Sequence, residues 1–322
     1  MSLLRYIVKR ALLSIPLVIF ATVLTFVIIQ SAPGDPVSYL LSGFEHAPPG
    51  LVEAMRAEFG LDQPMHIRLL VYLRNVFTGN FGYSYIRRTL VITEIQSRLV
   101  NTLLLTVTGM VIELTCGILL GLIAARKAYS IFDILASTIS MLLWSMPYFW
   151  IGIVTIIFFT IYVPIFPVGG MITPGVTGIE AYLDVAWHLF LPATVLGLGR
   201  VGLYTRMTRA SLLEIMTQDY ILTARAKGCD DRTVMTKHAL RNALLPLVTL
   251  IGMSTSQLFM GTVLVEIVFG WPGMGTLIYD SIIARDYAMI QIAFLFMTMI
   301  VVFSNLCADI AYAIVDPRIR YA

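Results

Sequence analysis

Residues able to do covalent chemistry are few in this chain and poorly spaced for it. A phosphate-binding loop ends in Gly-Lys followed by Ser or Thr, and none of the four lysines, Lys9, Lys127, Lys227 and Lys237, follows a glycine. His46, His66, His188 and His238 show neither His-Glu-x-x-His nor another tight ligand spacing, so metal catalysis has no support. Cys116 and Cys307 fall in apolar stretches and Cys229 in a charged one, which reads as three reduced structural thiols. The chain therefore reads as no enzyme by itself, with no catalytic residue, metal or cofactor of its own. What it does offer is charge in unusual places. Glu113 and Arg200 stand inside long apolar runs, and residues 213–241 form a charged island that includes Asp219, Thr223, Ala224, Arg225, Lys227, Gly228, Asp231 and Arg232.

These residues must be positioned by elements that live in a bilayer. Hydrophobic residues make up 58% of the chain and charged ones 13%, and the mean hydropathy of +0.85 exceeds that of a soluble domain. Spanning takes about 20 apolar residues per helix. Six stretches qualify, near 11–30, 101–125, 135–162, 190–209, 243–265 and 288–314. The first has a basic start, but its apolar run reaches Ile29 and Ser31-Ala32-Pro33 is a poor cleavage site, so it reads as a retained span. Arg5, Lys9 and Arg10, then Arg126 and Lys127, then eight Lys or Arg from Arg200 to Arg241, then Arg318 and Arg320 fall on one side; the opposite loops near 163–189 and 266–287 hold only Arg285. The rich side is the cytoplasmic one, which places both termini there. The net charge of +3 is this bias and calls for no nucleic-acid partner.

The chain divides into an N-terminal region with the first span (1–30), an extracytoplasmic cap (31–98) and a core of the remaining spans (99–322). The cap carries six basic and six acidic side chains. Pro48-Pro49-Gly50 opens an amphipathic helix to Phe59 that Gly60 stops, Asp62-Gln-Pro64 offers an N-cap, and a second helix runs to about Phe77. Pro147 is expected to kink the third span and Pro192 to open the fourth; Gly197, Gly199 and Gly202 permit close helix contact. His188, at a membrane edge, reads as interfacial. Counting 1.5 Å per residue puts Glu113 and Arg200 at depths within about 4 Å of each other near the bilayer midplane. A charge there costs several kcal/mol unless it faces a partner or water. The two are therefore expected to pair or to line one cavity, either as a buried pair fixing helix register or as a contact for a charged group in a pathway.

The island combines small residues that allow close approach, Ala224, Ala226 and Gly228, with charges that set register. Gly228 ends one short helix, and 231–240 form a second that leads into the fifth span. Its strings Thr223-Ala-Arg-Ala-Lys-Gly228 and His238-Ala-Leu-Arg-Asn-Ala243 resemble the ATPase-gripping loop of ABC importer permeases, in the form used by the dipeptide, oligopeptide and nickel permeases. The general Glu-Ala-Ala pattern of that loop is reduced here to Leu222, Thr223 and Ala224 before Gly228, and the proline comes late, at Pro246. Further segments are similar to the same branch: Pro33-Gly34-Asp35-Pro36, Gly60-Leu-Asp-Gln-Pro64, Phe81-Gly82-Tyr83-Ser84, Ser145-Met-Pro147-Tyr-Phe-Trp150, Leu191-Pro192-Ala193, Arg206-Met-Thr-Arg209, Glu266 to Gly275, Arg285-Asp286-Tyr287 and Asp316 to Arg320.

The resemblance implies an all-α membrane protein, the transmembrane domain of a type I ABC importer of the B-subunit kind, multi-pass in the plasma membrane or, in a two-membrane source, the inner one. It implies a homologous second permease, two ATPase subunits or domains that carry ATP and Mg2+, and an extracytoplasmic binding protein; the cap and the loop at Trp271 form the sizeable outer surface on which that protein is expected to dock. Trp271 reads equally as an interfacial anchor. Peptides are the implied substrate, with oligosaccharides, nickel or metallophore complexes and glutathione as alternatives; an ATP-independent secondary transporter or channel is the reading from a different class.

Overall fold

The computed structural model describes residues 3–41 and 49–315, so the terminal Asp316–Arg320 segment singled out above lies outside the described residues. Among these, four helices are long and apolar enough to cross a membrane: α1 (Leu3–Ser31), α5 (Val91–Arg126), α8 (Ile179–Ile215) and α14 (Tyr287–Val315). Two broken pairs raise the number to six. One is α6 (Ile131–Ser145) with α7 (Tyr148–Ile156), which continues as a π-helical turn, Ile157–Tyr162; the other is α12 (Leu245–Phe269) with α13 (Met274–Ile283). Short helices complete the chain: α2 (Pro36–Leu40), α3 (Pro49–Glu58), α4 (Met65–Phe77), α9 (Asp219–Ala226), α10 (Asp231–Thr233) and α11 (Leu240–Ala243), with a β-hairpin of β1 (Tyr83–Ser84) and β2 (Thr89–Leu90).

Proline acts differently at its two expected sites. At Met146-Pro147 the third span does break, with α6 and α7 meeting at 103°. Pro192, by contrast, does not open the fourth span: it lies inside α8, which begins at Ile179. A buried helix tolerates an internal proline when neighbouring groups take up the freed carbonyl. Nor does Asp62 cap α4; Pro64 occupies the N-cap position, and no side chain caps the first turn.

The chain forms two compact units. In one, residues 8–101 and 273–302, Phe26, Tyr72, Val91, Ile95, Met274, Leu277 and Met289 share a core. Asp35 caps α2 by accepting from the Ser38 amide at 2.7 Å, and Arg56 of α3 binds the same carboxylate at 2.8 Å. The Ser84 hydroxyl of the hairpin donates to the buried Asp286 carboxylate, which also accepts from the Met289 amide at 3.2 Å and so caps α14. Burial pushes the Asp286 carboxyl up from its ordinary value, against those two hydrogen bonds.

The other unit, built on residues 102–272, is organised by α8. Its small residues let neighbours approach to backbone contact: a methyl at Gly202 would stand 2.3 Å from the Ser140 carbonyl oxygen of α6, and one at Gly199 would stand 2.2 Å from the Tyr148 ring of α7. His188, expected at an interface, is buried in α8 instead, where Nδ1 lies 2.9 Å from the Asp184 carbonyl oxygen.

Candidate functional site

The charged island folds into a small body with a core of its own. Asp219 at the start of α9 and Arg225 at its end complement the helix dipole. The helix then closes in a Schellman turn, with the Gly228 amide donating to the Arg225 carbonyl at 2.9 Å and the Cys229 amide to the Ala224 carbonyl at 3.2 Å. Gly228 sits at φ +82°, where a side chain is strained, and a Cβ added there would meet nothing within 4 Å. Asp230 caps the next helix by accepting from the Thr233 amide at 3.4 Å, and the Thr233 hydroxyl, helped by backbone amides against the opposite pull of burial, lowers its carboxyl below the ordinary value. From there α10 passes through a π-helical turn, Val234–Ala239, into α11. Leu212, Ile221, Ala224, Val234, Met235, Ala239 and Ala243 bury together with Ala125 from the end of α5.

That core decides which island residues face outward. Asp219, Thr223, Arg225, Lys227, Gly228, Asp231 and Arg232 are exposed, as is Ala226. Ala224 is not: at 7% exposure it packs inward, so its small size serves the loop's own interior and not the approach of a partner. Arg225 and Asp231 pair across the surface at 3.5 Å, a contact of little energy between exposed groups. The outward face is thus small and mixed in charge on a rigid support.

Glu113 and Arg200 are brought together. On α5 the residues Gly109, Glu113, Gly117 and Gly121 follow at four-residue spacing and so lie on one face. The glycines of that face press against α8: a methyl at Gly117 would stand 2.4 Å from the Tyr204 Cβ, and one at Gly121 would stand 2.5 Å from the Thr208 Cβ. Held in this seam, Glu113 is fully buried and Arg200 nearly so. The Arg200 guanidinium and the Tyr204 hydroxyl act electrostatically on the Glu113 carboxylate, although its oxygens accept no hydrogen bond of regular geometry. The Tyr148 hydroxyl feels both charges. Two tyrosines, an acid and a base therefore share one buried polar spot inside an apolar wall.

Two further charged groups escaped sequence reasoning. Glu266, at the end of α12, is fully buried and accepts from the Thr102 hydroxyl at 2.6 Å. Asp133, at the start of α6, receives Arg209 in a fork, Nε to Oδ1 at 2.6 Å and the second nitrogen to Oδ2 at 2.7 Å, and also accepts from the Tyr129 amide at 2.8 Å. The fork fastens α6 to α8 shortly before the island begins. The signal available was an acid in the first turn of an apolar helix, which composition alone does not pair with an arginine 76 residues away.

Trp271 belongs to neither role expected of it. Gly270, in the left-handed conformation, ends α12 and turns the next residue inward, where Trp271 is fully buried among Leu105, Ile151, Leu191, Val265 and Phe269. A residue with no exposed surface is neither an interfacial anchor nor a docking contact.

Comparison with known proteins assigns the arrangement. Residues 117–321 match the family described as binding-protein-dependent transport system inner membrane component, and residues 3–106 match its N-terminal companion. The oligopeptide transport system permease protein AppB of Bacillus subtilis is 40% identical over 98% of this chain and 99% of its own length. The dipeptide transport system permease protein DppB of Escherichia coli K12 is 37% identical over 99% of both chains. Among solved structures, a chain of the inward-facing MetNI methionine ABC transporter superposes with a TM-score of 0.52 at 21% identity, covering 70% of this chain and 96% of that one, which is a likeness of fold.

Proposed function

Because the chain belongs to the family of binding-protein-dependent transport system inner membrane components, with the type I ABC importer fold, we propose that it is the pathway-forming subunit of an ATP-driven peptide importer. The full-length match to relatives named as oligopeptide and dipeptide permeases carries the peptide assignment. The carbohydrate, nickel and glutathione alternatives have no such support. In this reading the chain is not itself an enzyme; ATP and Mg2+ belong to two partner ATPase subunits, and a homologous second permease completes the pathway. Both termini and the island face the cytoplasm, and the cap faces an extracytoplasmic binding protein.

The geometry suits that division of labour. The island's outward charges and its open Gly228 offer a surface on a support that packs against α5 and α8, so a motor that pulls on it moves those helices with it. The Glu113, Arg200, Tyr148 and Tyr204 group lies on α5, α7 and α8, where it either fixes their register or meets a charged end of a peptide. Reconstitution in proteoliposomes with the partner subunits and binding protein tests the proposal. ATP-dependent accumulation of labelled di- or oligopeptide is expected; accumulation that ignores ATP and follows an ion gradient would replace it with a secondary transporter.

A further inference from the structure

The unit of residues 8–101 and 273–302 contains a cavity away from both the island and the Glu113–Arg200 group. It measures about 310 Å3 and is walled by Phe26 from α1, by Phe59, Tyr72, Phe81 and Tyr85, and by Ile292 of α14. That volume is at the low end for ligand cavities. A second, polar cleft adjoins it, and Gln30, Leu61, Arg68 and Tyr287 line both. An apolar chamber opening into a polar one is the shape of a site for an amphiphile.

Arg68 supplies the chemistry at the junction. It is half-buried, and burial lowers its pKa from the ordinary value against the opposite pull of Tyr287. Its guanidinium donates to the neutral Gln30 amide oxygen, and no carboxylate pairs with it among the described residues. The contact also fixes its level. The apolar run of α1 ends at Ile29, so Gln30 is where that helix leaves hydrocarbon, and an arginine bound to Gln30 stands where lipid phosphates lie. Ile67 and Val71, one turn apart on α4, are exposed beside the chamber and give an acyl chain a way in from the bilayer.

Acidic groups on the page refine the ligand. Asp286 on the chamber wall is already engaged by Ser84 and the Met289 amide, and Asp35 in the cleft is engaged by Arg56. Glu53 and Asp62 line the same cleft and are exposed. A head with an ammonium group beside its phosphate satisfies Arg68 and these acids together, whereas a purely anionic head meets repulsion.

We propose that this cavity holds one phospholipid with an amine-bearing head, its phosphate on Arg68 and the start of one acyl chain against Phe26 and Tyr72. The test is native mass spectrometry of the full-length protein in its transporter assembly, released from nanodiscs of equal phosphatidylethanolamine and phosphatidylglycerol. One phosphatidylethanolamine should stay bound after partial delipidation. Arg68→Gln should cut its retention about tenfold or more, through loss of a charged hydrogen bond. Asn75→Trp, which fills the chamber from α4, should displace the lipid while a thermal melt shows the protein folded. Equal retention of phosphatidylglycerol, retention that both variants keep, or displacement of the lipid by transported peptide at binding-protein concentrations would each overturn the proposal.

Discussion

Substitutions at Gly228 separate two effects that the structure makes independent. The residue sits at φ +82°, where a non-glycine residue costs about 1–2 kcal/mol, a factor of about 5–30 against the turn. The Schellman hydrogen bonds at 2.9 and 3.2 Å and the buried Ile221, Ala224 and Val234 oppose release of the turn, so the loop tolerates that strain. Space inside the chain is not at issue, because a Cβ at this position meets no atom within 4 Å. Gly228→Ala and Gly228→Trp therefore carry the same strain, and only the second places an indole on the outward face. In a purified assembly with ATPases and binding protein in nanodiscs, Gly228→Ala is expected to keep most of the substrate-stimulated ATP hydrolysis. Gly228→Trp should lose about 5- to 150-fold, since excluding a closely packed partner by one large side chain costs about 1–3 kcal/mol. Both should insert normally. Equal activity of the two variants would refute the reasoning: it would leave strain as the only effect and the outward face without a partner.

Other expectations follow from the helix seams and the cap. Glu113→Gln and Arg200→Gln should each lower thermal stability by about 3–5 kcal/mol, because either removes one charge of a buried opposite-sign pair, while the double variant should recover much of that loss; additive losses in the cycle would argue against pairing. Gly121→Leu should force α5 from α8, where a methyl would stand 2.8 Å from the Thr205 carbonyl oxygen, and should cost about 1–3 kcal/mol by thermal melt, with no effect expected from the same change at the open Gly79 beyond its turn strain. For Asp35, burial raises the pKa, but hydrogen bonds from Ser38 and Arg56 outweigh it and hold the carboxyl below its ordinary value of 3.8. Its contribution to stability is thus present above about pH 4 and lost as pH falls through the lower folded value. The gap in melting temperature between wild type and Asp35→Asn should close over that interval, and a gap that widened toward acid would reverse the assignment.

Much of the architecture was legible because a bilayer demands it. Runs of about 20 apolar residues announce spans, and Pro147 inside the third announced its break, although Pro16 and Pro192 sit within continuous helices. The Glu113 and Arg200 juxtaposition followed from counting rise per residue along two helices, since charges at equal depth in hydrocarbon have few other places to go. What stayed hidden depends on local backbone geometry or on distant pairing. The π-helical turns Ile157–Tyr162 and Val234–Ala239 insert one residue per turn without any compositional mark. The hairpin has strands of two residues, too short for alternation to show. Trp271 reads as an interfacial aromatic because tryptophan favours membrane edges, yet the left-handed Gly270 aims it at the core. Ala224 and Ala226 are equivalent as letters, and only the fold of the island sends one inward and the other out. The Asp133 fork and the buried Glu266 required knowledge of which helices touch.

The inward and outward alanines also provide the most direct test of the central claim, that the outward face of residues 213–241 is gripped by the motor. Single cysteines at the exposed Ala226 and the buried Ala224, in an otherwise cysteine-free assembly, are treated with a short thiol-to-thiol linker against a cysteine series in the ATPase cleft. Ala226→Cys should capture the ATPase subunit with a yield that changes with nucleotide, and Ala224→Cys should not. No capture from Ala226→Cys at any cleft position, or equal capture from both, would contradict the account.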